Sequence, residues 1–479
     1  MTLNSKAASK SVLVASTLFS AAITCAAPDA SAQPHINVTQ GQPLAGCSGR
    51  VDNLRPPLMT WPNQNPIDST KTYVLRAARI LEPGTGQIVR GGSLVVRGAC
   101  IVGVNAPPPD RAETIDLGDV TLLPGLVDMH THLLLRDEDQ TWPYSILWKT
   151  TPYRIIEGVD AAIKTLNIGF TTVRDLDNEG AMFGDTALRD AIARGVFPGP
   201  RMLVAGQPLT ITGGDMNLPL INPEIRDKVP QPGYMADSRD AMIAFTRKAI
   251  VDGADWLKIY GTSTRRQTDP VTMDPFEQFT KEDVRAIVEE ARRYKRDVAA
   301  HVYGGSAANA MILGGVRTIE HGPLMTEENL RLLVTSDTYW VPTLSTYYKR
   351  QTTDFEKRFV EHHREVFQMA LKMGAKIAFG TDVGSFPHGT QNDEFELMVQ
   401  YGMTRLDALR SATTVAAEAL RMGGIIGTLR AGSNADVIAV QGDPTTDIAD
   451  IKKVVFVMAN GRIVKNRVTN QRFPWEWDR

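Results

Sequence analysis

Cysteine is scarce in this chain. There are three in 479 residues, at Cys25, Cys47 and Cys100, and none stands beside the residues that carry the chemistry argued below. Charge of one sign is also missing. The formal net charge is -2, so no global field draws the protein to nucleic acid or to an anionic membrane. No apolar run is long enough for a convincing membrane span, because the candidate near the N-terminus is short and rich in Ala and Ser. Nor does a Gly-x-Gly-x-x-Gly follow the first long strand pattern, which argues against an open doubly wound sheet. What remains is an ordinary globular composition, 43% hydrophobic and 22% charged, able to bury a large core.

The N-terminus reads as a targeting segment. Lys6 and Lys10 give a basic start, Val12-Leu13-Val14 and Leu18-Phe19 an apolar centre, and Ala30-Ser31-Ala32 a small-x-small cleavage site before Gln33. Residues 1–32 are therefore expected to be a signal peptide, the mature protein secreted or periplasmic, with no membrane span after cleavage. Cleavage leaves Cys47 and Cys100, whose pairing the sequence leaves open. Residues 33–70, rich in Pro, Asn and Gln, read as an irregular extension.

From residue 71 to 122 the pattern is of short strands punctuated by glycine, and the same character returns at 425–468. The two ends are expected to pair into one small β-sandwich domain, with residues 469–479 as a tail. The intervening 123–424 alternates strand and helix. Strand patterns fall at 120–129, 170–175, 201–205, 256–260, 298–302, 318–320, 339–343 and 376–380, with helical patterns such as 281–294 and 356–373 between them. That alternation predicts an α/β fold, a closed (β/α)8 TIM barrel.

In such a barrel the chemistry sits at the C-terminal strand ends. The first strand runs Leu126-Val127-Asp128-Met129-His130-Thr131-His132, and positions i and i+2 share a face, so His130 and His132 aim at one point. The other ends carry Lys258 and Tyr260, His301, Glu320-His321-Gly322 and Thr381-Asp382. Taken singly, His301 reads as a core histidine, Asp382 as a helix cap and Lys258 as a snorkelling side chain. Five strand ends with such residues, from a chain holding eight histidines, point instead to a metal site. An ammonium at Lys258 would repel a cation, whereas a lysine carboxylated by carbon dioxide would be an anionic oxygen ligand.

With these motifs, together with Thr171-Thr172-Val173-Arg174-Asp175 and Gly427-Thr428-Leu429-Arg430-Ala431-Gly432, the chain resembles the amidohydrolase superfamily, in its imidazolonepropionase-like and prolidase-like branch. The resemblance spans residues 73–468. It implies two divalent metal ions, zinc being favoured by a His and carboxylate donor set. His130, His132 and Asp382 would hold one ion, His301 and His321 the other, and carboxylated Lys258 would bridge them. It implies attack of a metal-bound hydroxide on an amide carbonyl, with Asp382 as general base and then acid, and Tyr260 near the substrate. The substrate would be a dipeptide, an N-acyl amino acid or an amide-linked toxin of the ochratoxin type. An ester, lactone or carbamate hydrolase with the same site is the alternative, and a non-catalytic metal-binding barrel the third reading. One departure concerns the third-strand loop, where relatives often carry histidine after Gly-Gly and this chain has Asp215. His388 is the candidate replacement there. Arg265 and Arg266 are candidates to clamp a substrate carboxylate. A homo-oligomer is left open.

Overall fold

The computed structural model of the protein describes residues 68–136, 144–214, 216, 218, 221–226, 228–264 and 268–468. Residues 1–32, expected to be a signal peptide, the expected extension up to residue 67, Cys25, Cys47, Asp215, Arg265, Arg266 and the C-terminal tail lie outside them. Cys100 is disulfide-bonded. No helix among the described residues is long and apolar enough to cross a membrane.

Both ends of the described chain meet in one eight-stranded sheet. The N-terminal strands Thr72–Glu82, Gln87–Arg97 and Cys100–Val104 run antiparallel in sequence, while Val120–Pro124 pairs on one side with Thr72–Glu82 and on the other with Val437–Gln441. The register of that last pair, Leu123 opposite Ile438 and Leu122 opposite Ala439, ties together segments three hundred residues apart in order of magnitude. Glu113–Asp116 pairs parallel with Thr72–Glu82, and Val454–Ala459 and Arg462–Asn466 complete the sheet. Its β-branched and aromatic strands bury an apolar cluster that includes Leu75, Leu94, Val96, Ile101 and Phe456. This is the small β-sandwich domain made from both chain ends.

The centre is the TIM barrel. Parallel strands Leu126–Thr131, Phe170–Asp175 and Arg201–Val204 form one arc. Trp256–Tyr260, Asp297–Gly304, Thr318–Leu324 and Tyr339–Val341 form a second. Backbone bonds join the arcs. Asp255 N donates to Val204 O at 2.7 Å, Ala378 N to Trp340 O at 2.8 Å, and Met129 N to Phe379 O at 2.9 Å. The eighth strand, expected over 376–380, is not continuous. It is a stretch that bridges its neighbours at Ile377 and Val383. The first also differs from expectation. The apolar run 120–129 breaks at Gly125 into a sandwich strand and a barrel strand. A Cβ at Gly125 would stand 2.1 Å from Thr171 Oγ1, and its N–H donates to Asp436 O, so the chain changes sheets at the one residue without a side chain.

The surrounding helices carry their signals locally. Lys281–Arg293 starts with a Thr280–Asp283 capping box, places Glu282 and Asp283 in its first turn and Arg292 and Arg293 in its last, and buries Val284, Ile287, Val288 and Ala291. Asp354–Met373 opens with a Thr353–Glu356 capping box and stops at Gly374, whose φ of 77° suits a left-handed cap.

Candidate active site

The barrel axis holds a buried polar layer directly below the mouth. Arg174 is fully buried and each of its three guanidinium nitrogens donates a hydrogen bond. Nε donates to Met129 O at 2.7 Å, Nη1 to Thr318 Oγ1 at 2.9 Å and Nη2 to Glu320 Oε1 at 2.7 Å. The other Glu320 oxygen lies 2.8 Å from His130 Nδ1. That carboxylate fixes the ring so that Nε2 faces the mouth, the arrangement by which outer carboxylates orient ligand histidines. Asp128 braces the same strand end, accepting from His130 N at 3.1 Å and from Thr381 Oγ1 at 2.6 Å. Burial pushes its carboxyl up to about 7.

Above this layer the predicted residues come together. His130 Nε2 and His132 Nε2 are 3.2 Å apart, and Asp382 Oδ1 lies 3.5 Å from the first and 3.0 Å from the second. One donor atom from each of the three lies within 4.8 Å of the others. His301 and His321 pack ring to ring at 4.6 Å, and His321 sits 4.8 Å from His130. His321 Nδ1 is held by Thr343 Oγ1 at 2.8 Å. All four histidines, Lys258, Tyr260 and Asp382 line one cavity of about 130 Å³ at the barrel mouth.

Two of these residues need an unusual backbone. In an extended strand Glu320 and His321 point to opposite faces. Both serve the site because His321 has a φ of 71° and the pairing register shifts there, between Val302 and Gly304 on the facing strand. Asp382 has a φ of 62°. Non-glycine residues held this way cost on the order of 1–3 kcal/mol and cluster at functional sites.

Electrostatics favour ligand-ready side chains. Burial, then the Lys258 charge, hold His130 and His301 well below the ordinary imidazole range, and burial followed by His301 does the same to His321. Neutral imidazoles are the form that binds metal. His132 goes the other way. Burial opposes its charge, but Asp382 and Glu179 outweigh it and raise its pKa well above the ordinary value. Its Nδ1 lies 3.0 Å from Glu179 Oε1, within ion-pair distance but off the hydrogen-bond direction. Burial pushes the Lys258 ammonium down against the pull of Glu320, Asp382 and Asp177. Acidic oxygens, three imidazoles held neutral and a fourth, His132, paired with carboxylates, with one uneasy lysine among them, are a donor set that fits divalent cations.

Other expected contacts fall differently. His388 is buried away from the cavity lining, its Nε2 3.0 Å from Leu135 O, so it supports the first loop rather than facing substrate. Residues not foreseen do line the cavity, among them Glu179, Tyr303, Tyr347 and Arg350. Tyr303 was findable, since it follows His301 by two residues on the same strand face. Glu179 and Arg350 lie on loops, where no periodicity marks them.

A parallel barrel whose mouth gathers four histidines, an aspartate and a lysine on one cavity defines a metal-dependent hydrolase. The sequence profile of the amidohydrolase family matches residues 121–464, and the chain belongs to that family. It is 30% identical to an ochratoxinase of Aspergillus niger, over 83% of this chain and 88% of that one. Among solved structures it is similar to a Xaa-Pro dipeptidase with bound methionine in the active site, at a TM-score of 0.74 and 30% identity, covering 83% of this chain and 100% of the other. It is likewise similar to a prolidase complexed with N-methylphosphonate-L-proline, at a TM-score of 0.73 and 29% identity over the same shares. The chain is thus a prolidase-like amidohydrolase, an enzyme acting on carbon–nitrogen bonds.

Proposed function

We propose that the protein is an exported binuclear metallohydrolase that cleaves the amide bond of dipeptides or N-acyl amino acids, including toxins of the ochratoxin type. The observation that carries this reading is the gathering of His130, His132, His301, His321, Lys258 and Asp382 around one cavity. The names of the similar proteins, an ochratoxinase, a Xaa-Pro dipeptidase and a prolidase, support it. The basic, apolar and small-x-small pattern of residues 1–32 supports export.

In this reading His130, His132 and Asp382 would hold one cation and His301 and His321 the second. Bound there, two such ions, zinc by the donor set, would supply Lewis acidity that lowers the pKa of a water and polarises a carbonyl. The lowered pKa of Lys258 enlarges its neutral fraction, the form that adds to carbon dioxide with loss of a proton. The resulting carbamate replaces an ammonium by anionic oxygens between the two sets of histidines. Asp382 takes the proton of the attacking water and passes it to the departing nitrogen. Tyr260, its ring 4.8 Å from that of His301, orients the scissile carbonyl. The Arg174–Glu320 pair keeps His130 aimed.

Purification without chelator, followed by metal analysis and assay on a panel of dipeptides and N-acyl amino acids, tests the reading. Close to two metals per chain and loss of amide hydrolysis on dialysis against chelator, restored by zinc, are expected. Fewer than about one metal per chain with activity indifferent to chelator would reject it.

A further inference from the structure

The two histidines of the first barrel strand are turned the same way. Their Nε2 atoms face each other at 3.2 Å, and each Nδ1 faces a carboxylate. For His130 that carboxylate is Glu320, 2.8 Å away on a barrel strand. For His132 it is Glu179, whose Oε1 lies 3.0 Å away on the loop after Phe170–Asp175. Glu320 has a task in the reading above, and Glu179 has none.

The loop that carries Glu179 is built against His132. Asp175 Oδ2 accepts from Thr131 Oγ1 at 3.0 Å and from Leu133 N at 2.7 Å, and Leu176 N donates to Thr131 O at 3.1 Å. These bonds take the residues on either side of His132, so the start of the loop is registered on the histidine itself. Asn178 N donates to Gly206 O at 3.1 Å, which ties the loop to the turn after the third strand. Asp177 Oδ1 accepts from Glu179 N at 2.7 Å, and Asn178 Oδ1 from Gly180 N at 3.0 Å. Glu179 is thereby held at a φ of 53°, unfavourable for a residue with a Cβ, and its carboxylate is buried. That backbone and that buried charge both cost free energy, and the His132 ring is a partner that offsets part of the cost.

An imidazole that offers Nε2 to a cation carries its proton on Nδ1. A carboxylate at Nδ1 holds that tautomer, fixes the ring and makes Nε2 the stronger donor. Glu179 Oε1 stands off the Nδ1–H direction, but the terminal torsion of a glutamate is broad, so the carboxylate turns into line without a change of backbone.

We propose that Glu179 is the positioning residue of His132: from its loop it fixes the tautomer that presents Nε2 beside His130 and Asp382, as Glu320 does for His130 from the barrel wall. This rests on the metallohydrolase reading above and adds to it a residue outside the ligand set on which the first cation depends.

The test reads zinc binding by the full chain and needs no substrate. Competition against a chromogenic chelator should find two zinc ions on the wild type. In Glu179→Gln, which keeps the shape and removes the charge, one of the two should be weakened by about 10- to 100-fold, and the visible bands of the cobalt-loaded protein should change. Asp185→Asn is the control. It alters another buried carboxylate, one that accepts from Thr186 N and Gly206 N, and should bind zinc as the wild type does. Equal zinc binding by the wild type and Glu179→Gln overturns the proposal, even if KM for an amide rises, since Glu179 would then be a substrate contact. Equal weakening in Asp185→Asn overturns it as well, because the effect would be general loosening. If Glu179→Gln fails to fold, NMR of the zinc-loaded wild type with isotope-labelled histidine decides: a His132 proton on Nδ1 supports the proposal and one on Nε2 overturns it. A wild type that binds no zinc overturns the proposal and the metallohydrolase reading together, whereas bound zinc without amide hydrolysis counts against the amide substrates alone.

Discussion

In the β-sandwich, Leu75, Leu94, Val96, Ile101 and Phe456 pack in one buried apolar cluster. At the barrel axis, Arg174, Glu320, Asp128, His130 and Lys258 are buried just as deeply. Burial of Phe456 is favourable by the removal of apolar surface from water. Burial of Arg174 and Glu320 is costly and is offset only by complete pairing, so that layer adds little net stability. The difference teaches where the chain concentrates function. The sandwich joins the two ends and holds the first barrel strand in place. The barrel layer gives up stability to fix His130 and the mouth.

The comparison can be broken in four ways. The largest effect is expected from Asp382→Asn, which keeps the shape and removes the proton acceptor. Its kcat should fall by about 10²- to 10⁴-fold, measured on whichever amide the panel identifies. A variant retaining more than a tenth of the activity would remove Asp382 from the proton path.

Phe456→Ala should cost about 3–5 kcal/mol in urea unfolding and leave kcat of the folded protein unchanged, because the sandwich does not reach the cavity lining. Glu320→Gln should cost a similar amount, about 3–5 kcal/mol, since it strands the Arg174 charge. Unlike the sandwich variant it should also lower metal content and kcat, because His130 Nδ1 loses its carboxylate. If the two variants behaved alike in activity, the division between the regions would be wrong.

A smaller effect concerns acid stability. Burial, its largest cause, lowers His388 to about 4, against about 6.5 in an unfolded chain. Between those values the unfolded state takes up a proton that the native state refuses. The contribution of His388 is therefore complete above pH 6.5, declines as pH falls toward 4 and is flat below. It amounts to at most about 3 kcal/mol at ~1.4 kcal/mol per unit. The buried carboxyls Asp175 and Glu394, both raised by burial to about 7, act in the opposite direction. Only the difference between wild type and His388→Asn isolates the histidine. That difference should shrink by up to this amount between pH 6.5 and 4, and a constant difference would mean that His388 is exposed to water.

Much of the fold was legible because its signals are local. The period-two strands, the Thr280 and Thr353 capping boxes and the repeated strand–helix alternation each lie within about twenty residues of sequence. The split at Gly125 was not legible, because it depends on Thr171 and Asp436, which no local pattern brings near. The discontinuous eighth strand was missed for the same reason, since its pairing is decided by Trp340 and Thr131 on either side.

The sequence by itself determined which residue types reach the barrel mouth. A strand that ends in His-x-His, or carries Lys258 two residues before Tyr260, can present them only one way once the strand is set, because side chains alternate with a period of two. The tertiary structure alone decided the rest. The Arg174–Glu320 pair is built across strands, His321 and Asp382 turn on positive φ angles, and Glu179 and Arg350 arrive on loops whose course no periodicity encodes.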